Sequence, residues 1–158
     1  MDWADWALWG FVGTIVLTIT MSAAQGLGLT RMSIPFLLGT VVTPDRDRAQ
    51  LLGIAVHLIN GWLFSLVYVA AFHAWGLATW WAGAAIGVVH SAFVLTAGLS
   101  LLPAFHPRMA RIEEGPDQAP LLEPPGFLAL NYGVRTPVSV VLAHILFGAV
   151  VGGFYSPG

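Results

Sequence analysis

An all-α integral membrane protein, a bundle of four transmembrane helices, is the fold class this sequence predicts, and three observations carry it. Of the 158 residues, 57% are hydrophobic and only 9% charged, whereas a water-soluble domain carries roughly 25% charge. Four apolar stretches reach the roughly 20 helical residues that cross a bilayer core, and none alternates as a membrane β-strand does. All six cations are arginines confined to two segments, Arg31, Arg46 and Arg48 in one and Arg108, Arg111 and Arg135 in the other. The same composition excludes several classes. A mean hydropathy of +0.78 rules out a disordered chain. The absence of cysteine removes disulfides, thiolate zinc sites, iron–sulfur clusters and attached c-type haem. A net charge of −2 offers no footprint for nucleic acid.

The first span covers about 6–28. Met1–Trp6 carries Asp2 and Asp5 and no cation, unlike a cleavable signal, so this span is expected to stay attached. The second covers about 44–75, the third 79–105 and the fourth 137–155, making residues 1–158 one transmembrane domain with long loops at 29–43 and 106–136. The arginines place both loops in the cytoplasm and both termini outside. Trp3, Trp6, Trp9, Trp75, Trp80 and Trp81 then fall at the outer interface, where indoles prefer to sit. Thr43-Pro44 and Thr136-Pro137 read as N-caps followed by proline at the first helical position, with Asp45 and Asp47 in a first turn that favours negative charge. Residues 29–42 are too apolar for a free loop and are expected among the lipid headgroups or dipping briefly into the bilayer. Residues 111–126, with Pro116, Pro120, Pro124, Pro125, Glu113 and Glu114, read as a flexible solvated loop.

An internal repeat links the even-numbered spans. HLINGWLFSLVY from His57 lies over HILFGAVVGGFY from His144: each has His, Gly four residues on, and Tyr seven after that. Upstream, Thr-Pro recurs, Arg31-Met32 matches Arg108-Met109, and Pro35-Phe36-Leu37 resembles Pro125-Gly126-Phe127-Leu128. We read two pseudo-repeated helical hairpins in the same orientation, related by an axis along the membrane normal. That axis would turn His57 and His144 towards each other. Helical spacing then gives polar stripes: Gly10, Thr14, Thr18, Met21 and Gln25 on span one; His57, Asn60, Gly61, Phe64 and Tyr68 on span two. Span three offers Gly83, Gly87, His90, Ser91 and Gly98, and span four His144, Gly148, Gly152 and Tyr155. Gly83 and Gly87 form a small-xxx-small contact. The interior is expected to be Gly, Ser, Thr, Asn, Gln and His, and the lipid face Leu, Val, Ile and Phe.

Function follows less directly. Ionisable groups inside a bilayer are costly and invite a functional reading, and the deep ones here are His57, His90 and His144. His73 and His106 fall near the interfaces. No carboxylate, Lys or Arg is predicted in the hydrocarbon, and no catalytic constellation or metal site is apparent. Methionines form no cluster for copper, and no phosphate loop or hydrolase motif occurs. The expectation is therefore a non-enzymatic accessory or scaffold subunit, contacting membrane lipid and either other subunits or copies of itself, with no cofactor. One alternative is a small transporter or channel whose path is lined by Gln25, Asn60, Gly61, His90, Ser91 and Gly148, with histidine titrating near neutrality. Another is haem b held between His57 and His144, whose nitrogens would sit roughly 4 Å apart across the iron, with Gly61 and Gly148 leaving flat room for the macrocycle. Arg31, Arg46, Arg48, Arg108 and Arg135 are expected to anchor helix ends to lipid headgroups, and Asn131 and Tyr132 to lie at the same interface.

In the His-x-x-x-Gly-x6-Tyr pattern, in Leu-Gly-Thr ahead of Thr-Pro-Asp-Arg-Asp-Arg-Ala, and in the run from Trp81 to His90, the chain resembles small four-span bacterial inner-membrane proteins. The resemblance covers most of the chain. It implies a bacterial inner-membrane location and this topology, and it transfers no reaction or ligand.

Overall fold

The computed structural model describes residues 1–110 and 122–157. Glu113, Glu114, Asp117, Pro116 and Pro120 of the expected solvated loop, and Arg111, lie outside the described residues. Helices make up the structure: α1 (Trp3–Gly26), α2 (Ile34–Val42), α3 (Arg46–Trp75), α4 (Trp80–Phe93), a π-helical turn (Val94–Gly98), α5 (Leu99–Phe105), a 3-10 turn (Phe127–Tyr132) and α6 (Thr136–Phe154). Four continuous stretches are long and apolar enough to cross a membrane: α1, α3, the run from Trp80 to Phe105, and α6. This is a multi-pass membrane protein built as a helical bundle.

Glycine sets the packing. Helices α4 and α6 run antiparallel with backbones in contact. A Cβ on Gly83 would meet the carbonyl of Gly148 at 1.9 Å, one on Gly87 that of His144 at 2.2 Å, and one on Gly152 that of Thr79 at 2.3 Å. Each step of four along α4 matches a step of four back along α6, as a small-residue seam requires. Helix α1 packs on α3 through Gly10 against Ser65 and Thr14 against Gly61, and on α6 through Gly13 against Phe147 and Val151. Helices α3 and α4, adjacent in sequence, hold their backbones apart and meet through side chains, Phe64 and Tyr68 of α3 against His90 of α4.

The segment expected among headgroups contains a helix. Ser33 caps α2 by accepting from the amide of Phe36, and α2 folds back antiparallel on the start of α3. A Cβ on Gly53 would lie 1.6 Å from the Pro35 carbonyl, and one on Gly39 1.7 Å from that of Ala49. The cap of α3 is Asp45, whose carboxylate accepts from Arg48 at 2.8 Å, and Thr43 closes α2 instead. An aspartate caps as well as a threonine, so the Thr-Pro pair is displaced by two residues. In α6 the cap position is Arg135, with Thr136 already helical and its hydroxyl 2.7 Å from that of Thr30.

Two arginines lock the long connections to each other rather than serving only as headgroup anchors. Arg31 donates to the Asn131 carbonyl at 2.5 Å and pairs with Glu123 at 3.3 Å. Arg108 donates to the carbonyls of Thr40 and Val41 at the end of α2. The pair with Glu123 is exposed and contributes little; the bonds to carbonyls satisfy groups that a helix end leaves open. Arg46, Arg48 and Arg135 are exposed, as anchors would be. Tyr132 donates to the Glu123 carbonyl at 2.5 Å. Burial and the Glu123 carboxylate push its phenol up to about 12, against the pull of Arg31, so it remains a donor. The segments Pro35–Leu37 and Pro125–Leu128, aligned by sequence, differ in form: the first is helix, whereas Leu128 and Ala129 adopt left-handed conformations at φ 53° and 59°.

At the opposite end the termini meet. The Ser156 amide donates to Asp5, Tyr155 lies 2.8 Å from His73 Nε2, and Trp6 donates to Ser65 while stacking on Trp62.

Candidate functional site: a histidine cleft

Because α3 and α4 stand apart while α4 and α6 close tightly, a cleft of about 200 Å³ opens between them. Helices α1 and α2 supply Leu17, Met21, Ile34 and Leu38; α3 supplies His57, Asn60, Gly61 and Phe64; α4 and α6 supply His90, His144 and Phe147. The histidines lie deep. At 1.5 Å per residue, His57 is roughly 16 Å along α3 from Arg46, and His90 roughly 15 Å along α4 from Trp80.

His144 is buried, and its Nδ1 donates to the carbonyl of Val140 at 2.8 Å. A carbonyl only accepts, so neutral His144 carries its proton on Nδ1 and leaves Nε2 as an acceptor. The His90 ring meets His144 edge-on, with centroids 4.7 Å apart, and stacks on Phe64 at 4.8 Å. Its Nδ1 is 3.0 Å from the Tyr68 hydroxyl. Tyr68 is buried and set edge-on to Phe147, closing the cleft towards the terminal end. His57 is half-buried and makes no hydrogen bond to the protein among the described residues. One turn past His90, Val94 lines the cleft where the helix widens into its π turn, a distortion found often at functional sites.

The structure therefore brings His57, Asn60, Gly61, His90 and His144 to one place, with a different partnership from the one expected. The contacting imidazoles are His90 and His144, and His57 shares their cleft. Gly61 and Gly148 leave no flat room: a Cβ on Gly61 would meet the Thr14 side chain at 2.4 Å, and one on Gly148 the Gly83 carbonyl at 2.0 Å and the Tyr68 ring at 2.9 Å. These glycines are consumed by helix packing, so a macrocycle between His57 and His144 does not fit. No group of three metal-binding side chains gathers among the described residues.

The stripes also need correction. Asn60 and Phe64 are exposed on the open flank of the cleft and Gly98 is exposed, while Ser91 and Gly148 are buried in the seam. The interior is less polar than expected, since Leu17, Tyr68, Phe72 and Phe147 are buried in it. Gln25 is half-buried outside the cleft, beside Ser33 and Gln50.

The sequence places His106 only near an interface, yet it is 1% exposed and fully engaged. Its Nδ1 accepts from the Arg108 amide, so Nε2 carries the proton and donates to the Leu37 carbonyl at 3.0 Å, with Thr40 at 3.2 Å. It ties the end of α5 to α2. The only local signal is its position between Pro103 and Pro107, where the helix must end.

Comparison with known proteins adds no relative: no family model, no curated sequence and no solved structure matches the chain.

Proposed function

We propose that the chain is a bacterial inner-membrane binding or carrier protein whose ligand is a small amphipathic molecule with a neutral hydrogen-bonding head. The observation that carries this reading is the convergence of three imidazoles and Asn60 on one otherwise apolar cleft that opens on a bilayer-covered flank. Ligand sites are mostly apolar concavities with a few placed polar groups, commonly of 300–1,000 Å³ (roughly). A cleft of about 200 Å³ takes a head, not a whole amphiphile. Its tail would lie in lipid along the gap between α3 and α4. Among the described residues no carboxylate, arginine or lysine lines the cleft, so an ionic head would lose its hydration without a counter-charge. His144 Nε2 offers an acceptor and the Asn60 amide both donor and acceptor.

Several features support the finer parts of the reading. Arg31 and Arg108, matched by sequence, each reach across to the other connection, and Met32 and Met109 beside them are both 1% exposed, which favours a duplicated hairpin. All six arginines fall in the segments joining α1 to α3 and α5 to α6, or at their edges, which favours a cytoplasmic face there. A scaffold role, by comparison, uses His90 and His144 as packing and hydrogen-bonding groups but gives His57, which bonds to no protein group among the described residues, no task.

The test is titration of protein in nanodiscs with a fatty alcohol and with the fatty acid anion of equal length, followed by the imidazole NMR signals. The alcohol is expected to shift the His144 and His90 signals saturably, the anion at least tenfold more weakly, and Asn60→Leu to remove most of the response. Absence of a saturable shift with the alcohol, or equal response to the anion, overturns the proposal.

A further inference from the structure

A second set of cavities leads to the cleft from the arginine-rich end. The outermost, open and about 590 Å³, is bounded by Gln25, Ser33, Arg46, Asp47 and Gln50. Gln25, Ser33 and Gln50 also wall a throat of about 70 Å³, which Thr18 and Ser22 flank and which ends on His57. His57, Met21 and Ile34 are shared in turn with the histidine cleft. A void of this size holds several waters if polar partners are present, and they are: the side chains of Gln25, Gln50 and His57 make no hydrogen bond to the protein among the described residues. Gln50 is exposed towards the mouth, whereas Gln25 and His57 are half-buried, and an amide and an imidazole left without partners there would be costly in a dry throat. Past His57 the way is closed, by the buried rings of Tyr68 and Phe147 and by the backbone contacts of α4 with α6.

We propose that this line of cavities is an aqueous access path that opens His57, and through it the cleft, to the arginine-rich face alone, for water and protons. Among the described residues, titratable groups face His57 from two sides, His90 on α4 and His144 on α6; α1 and α2 contribute hydroxyls, an amide and apolar groups. A neutral His57 at the inner end can exchange its proton with the water chain, and so with one face. This inference does not depend on what occupies the cleft.

The chain has no cysteine, so single cysteines in the full chain report on the path directly. Ser22→Cys, Gln25→Cys and His57→Cys are treated, in sealed vesicles of known orientation, with a small charged thiosulfonate added to one face at a time. Unreacted thiols are then counted with a maleimide after unfolding. Labelling of all three from the arginine-rich face, at least tenfold faster than from the other, is the expected result, while Ser91→Cys in the α4–α6 seam stays unlabelled from both. Labelling of His57→Cys from neither face, from both, or from the terminal face overturns the proposal. Ile54→Cys, on the same throat wall, supplies the reading if His57→Cys does not fold.

Discussion

Gly53→Val is expected to unseat α2 from α3 and to destabilise the protein by about 3 kcal/mol or more, the upper end of what overpacking costs. The added Cβ would lie 1.6 Å from the Pro35 carbonyl and 2.9 Å from the Gly39 amide nitrogen. Both are backbone atoms, so no rotamer change relieves the clash, and the helices must separate. Separation would also break the bonds from His106 and Arg108 to Leu37, Thr40 and Val41, because all three acceptors lie on α2. Gly39→Val is expected to act alike. Gly26→Val is the control, since nothing lies within 4 Å of that Cβ. Thermal unfolding in detergent, with proteolysis of the 29–43 connection as a second readout, checks the expectation. A Gly53→Val protein as stable as the Gly26 control would show that α2 does not pack on α3 in this way.

Gly87→Val carries the second large effect, and it bears on the site. Its Cβ would stand 2.2 Å from the His144 carbonyl, so α4 must move away from α6 at the level where His90 meets His144. We expect a destabilisation of about 3 kcal/mol, together with loss of the His90–His144 contact and of any saturable response to a neutral amphiphile. Gly98→Ala, whose Cβ finds its nearest neighbour at 3.9 Å, should leave both unchanged. Unfolding transitions and the imidazole spectrum of the two variants decide the matter. Retention of both in Gly87→Val contradicts the close α4–α6 seam.

Much of this architecture is written locally in the chain. Four runs of apolar residues and the glycine spacings of Gly83, Gly87, Gly148 and Gly152 act through periodicity alone, and the structure uses these glycines as backbone contacts. The start of α2 was also available, in Ser33 followed by Pro35, but its apolar character matched a headgroup segment equally well. What could not be read is tertiary. The gap between α3 and α4 arises because α4 spends its glycines on α6, and nothing within α3 reports that choice. For the same reason Asn60 and Phe64, on the predicted inward stripe, face the open flank, and the glycines beside His57 and His144, which suggest room for a ligand in the sequence, are filled by Thr14, Gly83 and Tyr68. His106 lies beyond periodicity altogether, because its Nε2 reaches the Leu37 carbonyl and the Thr40 hydroxyl, 69 and 66 residues away in the chain.

The proposed binding role requires three imidazoles sharing one intramembrane cleft, and magic-angle-spinning NMR of histidine-labelled protein in bilayers tests this most directly. The chain has five histidines, so single replacements assign every ring. With centroids 4.7 Å apart, the His90 and His144 rings should give strong mutual cross-peaks, and replacing either, or His57, should shift the signals of the others. Rings of His90 and His144 that show no cross-peak and titrate as isolated groups would contradict the cleft.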